Sequence, residues 1–339
     1  MDIAVVILNY NGQGFLDKFL PSVITNSLNA QVIVADNASK DNSLALLMDK
    51  FPTVKIIQNT ENYGFAGGYN HALKQVKAKY YVLLNSDVEV SPNWLKPMYD
   101  LLENNKNIAA CQPKILAFHQ PEDFEYAGAG GGFIDTLGYP FCRGRIFDTV
   151  EKDLNQYNDA QSVFWATGAC LFIRSEVFHS LKGFDEDFFA HMEEIDLCWR
   201  IHSQGHEVYV CPQSIVYHVG GGTLQKSNPF KTFLNFRNGL AMIYKNLPEK
   251  QLRRKIFIRL VLDGLAGVKF LLSGDYKSTI AIIKAHFSFY GNFKHWNTKR
   301  KNNLKSEHII TIYPKSIVVE YYLKKKKIFA DLGFKNPKQ

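Results

Sequence analysis

Short apolar runs alternate with helical patterns through the first third of the chain. Residues 3–8 lead into 15–26, 31–35 into 43–51, 54–57 into 66–76, and 80–84 into 92–104. Strands separated by such helical stretches form right-handed βαβ units, which predicts a parallel sheet covered on both faces. The fourth run, Tyr80-Tyr81-Val82-Leu83-Leu84, has the continuous apolar character of a doubly buried strand and breaks abruptly into Asn85-Ser86-Asp87. Ligands collect where such strands end, so Asp87 is delivered to the rim of the sheet. A carboxylate there either holds a divalent metal or, with its neighbours, turns the chain or caps a helix.

Each of the other strand ends is polar as well: Asn9-Tyr10-Asn11, Asp36-Asn37-Ala38-Ser39 and Asn62-Tyr63-Gly64-Phe65-Ala66-Gly67-Gly68. Each cluster alone is ordinary turn chemistry. Four in succession at one edge line a crevice. A nucleotide in it would find an acceptor for the base imide N–H in Asp36 and a shelf in Tyr10 and the Gly64-Phe65-Ala66 turn. The glycines allow close backbone approach at a helix start, where N–H groups and the helix dipole favour negative charge. They follow the third strand rather than the first, which disfavours a dinucleotide-binding Rossmann site.

A chain of 339 residues, 46% of them apolar, can bury a large core and an appendage. Its net charge of +8 is unevenly divided. Residues 1–244 carry 19 Lys/Arg against 26 Asp/Glu, and residues 245–339 carry 21 against 6. We therefore expect two parts, 1–244 and 245–339, with different roles. Cys111, Cys142, Cys170, Cys198 and Cys211 are scattered, odd in number and without a CxxC pair, which argues against both a disulfide framework and a zinc site and fits a reducing compartment. The N-terminus lacks the pattern of a secretory signal. The most apolar stretch, 256–272, is interrupted by Arg259, Asp263 and Lys269, so no membrane span is expected.

Residues 108–115 read as a strand, 118–160 as a long Gly-containing loop near the substrate, 163–173 as a return to the sheet, 194–203 as a helix, and 207–211 and 214–219 as strands. Beyond 248 come Lys/Arg-rich amphipathic stretches, 251–272, 276–290 and 316–323. The stretch 255–262 is too apolar for a solvated helix, yet charges break it. It is either an interfacial helix or a helical appendage packed with a basic outer face.

Five motifs, in this order, resemble the inverting glycosyltransferases of family two, which have a GT-A fold, and in particular bacterial rhamnosyltransferase-like members. They are Val6-Ile7-Leu8-Asn9-Tyr10-Asn11, Val34-Ala35-Asp36-Asn37-Ala38-Ser39, Asn62-Tyr63-Gly64-Phe65-Ala66-Gly67-Gly68-Tyr69-Asn70, Leu83-Leu84-Asn85-Ser86-Asp87 and Glu193-Glu194-Ile195-Asp196-Leu197-Cys198-Trp199-Arg200. The resemblance spans roughly residues 2–240. It implies an α/β fold of GT-A type, a Rossmann-like, mixed but mainly parallel sheet with helices on both faces, followed here by the basic helical region.

The resemblance implies that Asp36 reads a pyrimidine, that Asn11 and Asn62 help hold the nucleoside, and that Asn9, Tyr10, Asn37, Gly64, Phe65, Ala66, Asn70, Asn85 and Ser86 complete a nucleotide-sugar site. Asp87 corresponds to the metal-binding member of a degenerate DxD motif whose first position is Asn85. His218, in Tyr217-His218-Val219-Gly220-Gly221-Gly222, matches a downstream ligand in relatives; taken alone it is an ordinary structural histidine. The implied cofactor is a divalent ion, Mn2+ or Mg2+, and imidazole accepts Mn2+ more readily.

Displacement of a nucleoside diphosphate needs a carboxylate to take the acceptor's proton. Relatives carry Glu-Asp where this chain has Glu193-Glu194, so Glu194 is the expected base, one methylene longer, with Glu193 the alternative. Asp196 is expected to cap the helix or orient its neighbours. Trp165, Thr167 and Gly168 are expected to line the acceptor region, where Trp165 either stacks on a sugar or fills the core.

The favoured reading is a metal-dependent transfer from a dTDP-rhamnose-like or UDP-linked donor to a glycan or lipid-linked acceptor in cell-surface polysaccharide synthesis. No nucleic acid is expected as a partner. The basic tail would hold the protein at the inner face of the cytoplasmic membrane, each Lys or Arg contributing about 1 kcal/mol near an anionic surface. One rival is a nucleic-acid-binding protein, suggested by the aromatic residues within the basic tail. Another is a nucleotidyltransferase, although Asn9-Tyr10-Asn11-Gly12-Gln13-Gly14 offers no basic triphosphate loop.

Overall fold

A computed structural model describes residues 2–220 and 228–334. The first third alternates as its pattern requires: β1 (Ile3–Asn9), α1 (Gln13–Asn26), β2 (Gln31–Asp36), α2 (Ser43–Lys50), β3 (Lys55–Gln58), α3 (Gly64–Leu73) and β4 (Tyr80–Asn85). These four strands are parallel in the order β4-β1-β2-β3. Successive β1 side chains divide between two cores: Ile3, Val5 and Ile7 pack on one face of the sheet, Ala4 and Val6 on the other. That division is why no polar alternation marks the strand in the sequence.

After β5 (Val88–Val90), α4 (Leu95–Asn104) and β6 (Ile108–Ala117), the chain was expected to enter a long loop. It instead forms β7 (Gln120–Phe124), β8 (Gly132–Asp135), β9 (Pro140–Cys142), β10 (Arg145–Ile146) and β11 (Thr149–Val150). The last four make a second sheet. These strands are too short to show a period. The glycine run serves packing rather than mobility, since a Cβ on Gly132 would fall 2.1 Å from the Trp165 ring.

The main sheet is completed by β12 (Gln161–Val163), β13 (Cys170–Arg174) and, beyond α5 (Ser175–Ser180) and α6 (Glu193–Ser203), by β14 (Glu207–His218). It is mixed and ten-stranded, with β13 antiparallel to both β4 and β6, and β14 parallel to β6. The strands expected at 207–211 and 214–219 are one strand, with a register shift between Cys211 and Ile215.

Among the described residues, four α-helices follow: α7 (Pro229–Asn246), α8 (Glu249–Leu272), α9 (Tyr276–Gly291) and α10 (Phe293–Asn302). The division expected at 244/245 falls inside α7, and the basic region packs back on the rest. Lys245 bridges Asp185 and Asp196, while Lys299 pairs with Asp185 and Asp187. Burial would raise the Asp185 pKa, but Lys245 and Lys299 outweigh it and hold the carboxyl well below its usual range. Removing one partner from such a buried cluster costs about 3–5 kcal/mol. Then β15 (Ile312–Tyr313) adds to the second sheet parallel to β8, and the Ile317 N–H donates to Asp135 at 2.9 Å. Among the described residues, no helix is long and apolar enough to cross a membrane.

Candidate active site

Strand register brings the polar clusters to one edge, because Asn9 pairs with Asp36 across β1 and β2, and Leu8 with Asn85 across β1 and β4. Asn9 donates to Asp36 Oδ1 at 3.1 Å and to Ser39 Oγ at 3.1 Å. The other Asp36 oxygen accepts the Ser39 N–H at 3.0 Å. With Asp36 only 1% exposed, its role in the structure is to brace this loop rather than to stand open. Asn37, equally buried, donates to Asn62 Oδ1 and the Gly64 carbonyl and accepts from Asn59. Tyr10, Asn11 and Asn62 are exposed above this scaffold, and Asn85 and Ser86 are partly so.

The start of α3 departs from expectation. The Phe65 and Ala66 N–H groups donate to the Phe189 carbonyl, at 2.7 and 3.1 Å, so they are not open to a diphosphate. Gly64 is required there: it sits at φ +70°, and a Cβ would lie 2.4 Å from the Phe189 ring. Asn70 is likewise corrected from ligand contact to scaffold, because its amide donates to the Phe184 carbonyl and Glu186 and accepts from the Phe184 N–H.

Two of the three expected acceptor residues also turn inward. Trp165 is 3% exposed and donates its indole N–H to the Phe133 carbonyl at 2.9 Å, so the core-filling reading is the one the structure shows. The Thr167 hydroxyl donates to the Ala127 carbonyl and accepts from the Ala169 N–H. Gly168 leaves just enough room for the Phe65 ring, a Cβ there falling 3.0 Å from Phe65 Cζ. These residues shape the floor of the site from below.

At the end of β4, Asp87 meets the end of β14. His218 Nε2 is 3.2 Å from Asp87 Oδ1, and Nδ1 is 3.4 Å from Glu125 Oε2 without the alignment of a hydrogen bond. Burial disfavours charge on His218, but the adjacent carboxylates of Asp87 and Glu125 prevail and push its pKa up to about 10. Neither composition nor spacing pointed to Glu125, which belongs to the segment read as a loop. Two donors sharing an ion at about 2.1 Å stand about 3 Å apart, so the Asp87–His218 separation fits a divalent ion. Among the described residues no group of three or more His, Cys, Asp or Glu is disposed to hold one; Gly221 and Gly222 of the His218 motif lie outside those residues.

On the opposite side, Glu193 and Glu194 open α6. The turn before them is strained, with Phe189, His191 and Met192 at φ +62°, +69° and +73°. Asn238 of α7 holds it, donating to the Phe188, Ala190 and His191 carbonyls at 2.9, 3.0 and 2.8 Å. Nothing in the sequence marked Asn238. One oxygen of each glutamate is buried and, among the described residues, has no hydrogen-bond partner. Burial pushes the Glu194 carboxyl up to about 7. Burial and the neighbouring Glu194 charge raise Glu193 well above the usual range. Asp196 orients its neighbours rather than capping, accepting from Arg200, Lys245 and Asn246.

A run of contacts connects the two regions. Phe189 abuts Gly64 and Phe65, Phe65 abuts Gly168, and the Ala169 carbonyl accepts from the Asn85 N–H at 3.0 Å, two residues before Asp87. The acid–imidazole pair and the two carboxylates of raised pKa therefore lie at the two ends of one run of contacts.

The profile of Glycosyl transferase family 2 matches residues 4–181. An N-acetylglucosaminyl-diphospho-decaprenol L-rhamnosyltransferase of Mycobacterium tuberculosis is 25% identical over 241 residues, 65% of this chain and 77% of the relative. Rhamnosyltransferase WbbL of Escherichia coli is 23% identical over 228 residues, 64% and 83% of the two chains. Among solved structures, GalNAc-T7 with UDP, GalNAc and Mn2+ superposes at a TM-score of 0.57 and 18% identity, over 74% of this chain and about half, 48%, of that one. The mannosyltransferase PcManGT of Pyrobaculum calidifontis, with GDP-Man and Mn2+, gives 0.51 and 13%, over 88% and 84%. These likenesses identify the fold as GT-A. With more than half of its length matched by the family profile, the chain belongs to glycosyl transferase family 2.

Proposed function

We propose that the protein transfers a sugar, with inversion, from a dTDP-rhamnose-like or UDP-linked donor to a glycan or lipid-linked glycan at the inner face of the cytoplasmic membrane, in cell-surface polysaccharide synthesis. The relatives' names support this substrate class: one acts on a diphospho-decaprenol-linked sugar, and two are rhamnosyltransferases. The base lies against Tyr10, Asn11 and Asn62, over the loop that Asp36 fixes. Asp87 and His218 would hold Mn2+ or Mg2+, whose chemistry when bound is to neutralise charge on the departing diphosphate.

The acceptor hydroxyl oxygen bonds to the anomeric carbon as the carbon–oxygen bond to the diphosphate breaks, and the hydroxyl proton passes to a carboxylate. Glu194 is that base. With a pKa of about 7 it is substantially ionised at neutral pH, and it is a stronger base than an ordinary glutamate. Glu193, raised well above the ordinary range by burial and the Glu194 charge, suits contact with the acceptor sugar.

The observation that carries this reading is a pair of buried glutamate oxygens, without a partner among the described residues, that contacts through Phe189, Phe65 and Ala169 connect to the end of β4 beside Asp87. Its test is a panel of nucleotide sugars incubated with Mn2+, scored for diphosphate release and for product anomer by NMR. We expect one donor to be consumed, the anomeric configuration to invert, and Asp87→Ala to abolish both turnover and Mn2+-dependent nucleoside diphosphate binding. A retained configuration, or an active Asp87→Ala, would overturn it.

A further inference from the structure

The hairpin of α8 and α9 is turned inside out. Solvent-facing helices ordinarily present charge outward and apolar residues inward. In α8 the charged residues Arg259 and Asp263 are buried, paired at 3.0 Å, with the guanidinium 3.8 Å over the Tyr139 ring and the carboxylate accepting from the Tyr139 hydroxyl. Meanwhile Phe257, Val261, Leu265 and Val268 are exposed, Phe257 by 68%. They recur at intervals of three and four, forming a single stripe. The helices run antiparallel, since Asp263 meets His286 and Gly267 meets Thr279. The outer side of α9 continues the surface with Ile280, Ile283 and Phe287, the last 74% exposed.

An apolar area spread over two helices marks an interaction surface. Its charge selects the occupant. Residues 250–305 contain 13 Lys/Arg and two acids, of which Asp263 is buried and Asp275 caps α9. A second copy would set like charge against like charge. An anionic bilayer offers both complements, acyl chains for the stripe and headgroup charge for exposed Arg253, Arg254, Lys277 and Lys284.

We propose that the α8–α9 hairpin lies in the plane of an anionic membrane surface, with its apolar stripe immersed and its basic residues among the headgroups. Of the two expectations for this stretch, an interfacial helix and an appendage with a basic outer face, the proposal takes up the first. The inference goes beyond glycosyl transfer and can be tested without turnover, so either can fail alone.

The full chain would be floated with phosphatidylcholine vesicles and with vesicles containing phosphatidylglycerol, alongside a triple variant (Val261→Ser, Leu265→Ser, Phe287→Ser) and a double variant (Arg253→Glu, Arg254→Glu). All five positions are exposed, so unchanged thermal melts are expected. The wild type should float with anionic vesicles at least tenfold better than with neutral ones, the triple variant should lose at least tenfold of that, and the double variant should bind weakly and with little salt dependence. A wild type that stays down with both vesicle types, or a folded triple variant that floats as well as wild type, would overturn the proposal. So would a wild-type dimer that the triple variant dissociates and that ignores vesicles, because the stripe would then belong to a second copy.

Discussion

Glu194→Gln should stabilise the protein, and only at higher pH. Burial raises the folded-state pKa of Glu194 from an ordinary 4.5 to about 7. Well below 4.5 the residue is protonated in both folded and unfolded chains and contributes no pH dependence. Between 4.5 and 7 the unfolded chain has released its proton while the folded chain keeps it, so wild-type stability falls as pH rises; above 7 the full penalty is present. At about 1.4 kcal/mol per tenfold in proton affinity, the gap corresponds to about 3 kcal/mol, trimmed by residual solvent contact to about 2–3 kcal/mol. Glutamine has no proton to lose and escapes the penalty. Urea unfolding of both proteins near pH 4 and near pH 8 reads this directly. We expect near-equal stability in acid and a gain of about 2–3 kcal/mol for the variant in base. A gain independent of pH, or a loss near pH 8, would refute the assignment of a strained, buried carboxylate.

The same raised pKa sets the rate profile: kcat/KM should climb along a limb centred near pH 7 and keep that limb in Glu193→Gln, and a limb centred in the ordinary glutamate range would count against Glu194 as base. Asn238→Leu leaves three carbonyls of the strained turn without their donor. At about 1–3 kcal/mol for each of the two N–H groups lost, it should cost about 2–6 kcal/mol in unfolding and more than tenfold in transfer while nucleoside diphosphate binding is kept; wild-type turnover would show that the turn holds itself. Gly64→Ala puts a methyl into Phe189 at a left-handed backbone position and should lower stability by about 1–3 kcal/mol, read from a thermal melt that would be unchanged if α3 and the turn were not in contact.

The chemistry of the first half was largely legible because it repeats. Each buried parallel strand announces itself as an unbroken apolar run, and each ends in a polar cluster. Residues 118–160 were illegible for the opposite reason: strands of two to five residues show no period, and glycines that pack under Trp165 look like a loop's. Burial was the other blind spot. Asn9, Asp36, Asn37, Asn70, Trp165 and Thr167 have the residue types of a ligand site, yet the structure spends their side chains on one another and on the backbone. Asn238 and Glu125 act across long sequence separations, one through hydrogen bonds to three carbonyls and the other through its charge, and no spacing rule reports them. In α8, Arg259 and Asp263 read as interruptions of an apolar helix; three-dimensional packing shows that they are its inner face.

A crystal grown with nucleoside diphosphate and Mn2+, measured at the manganese absorption edge, tests the convergence on which the mechanism depends. We predict an anomalous peak at coordination distance from Asp87, His218 and the diphosphate, with Glu194 facing the terminal phosphate across the site. A peak held by other residues, or a diphosphate turned away from Glu194, would contradict it.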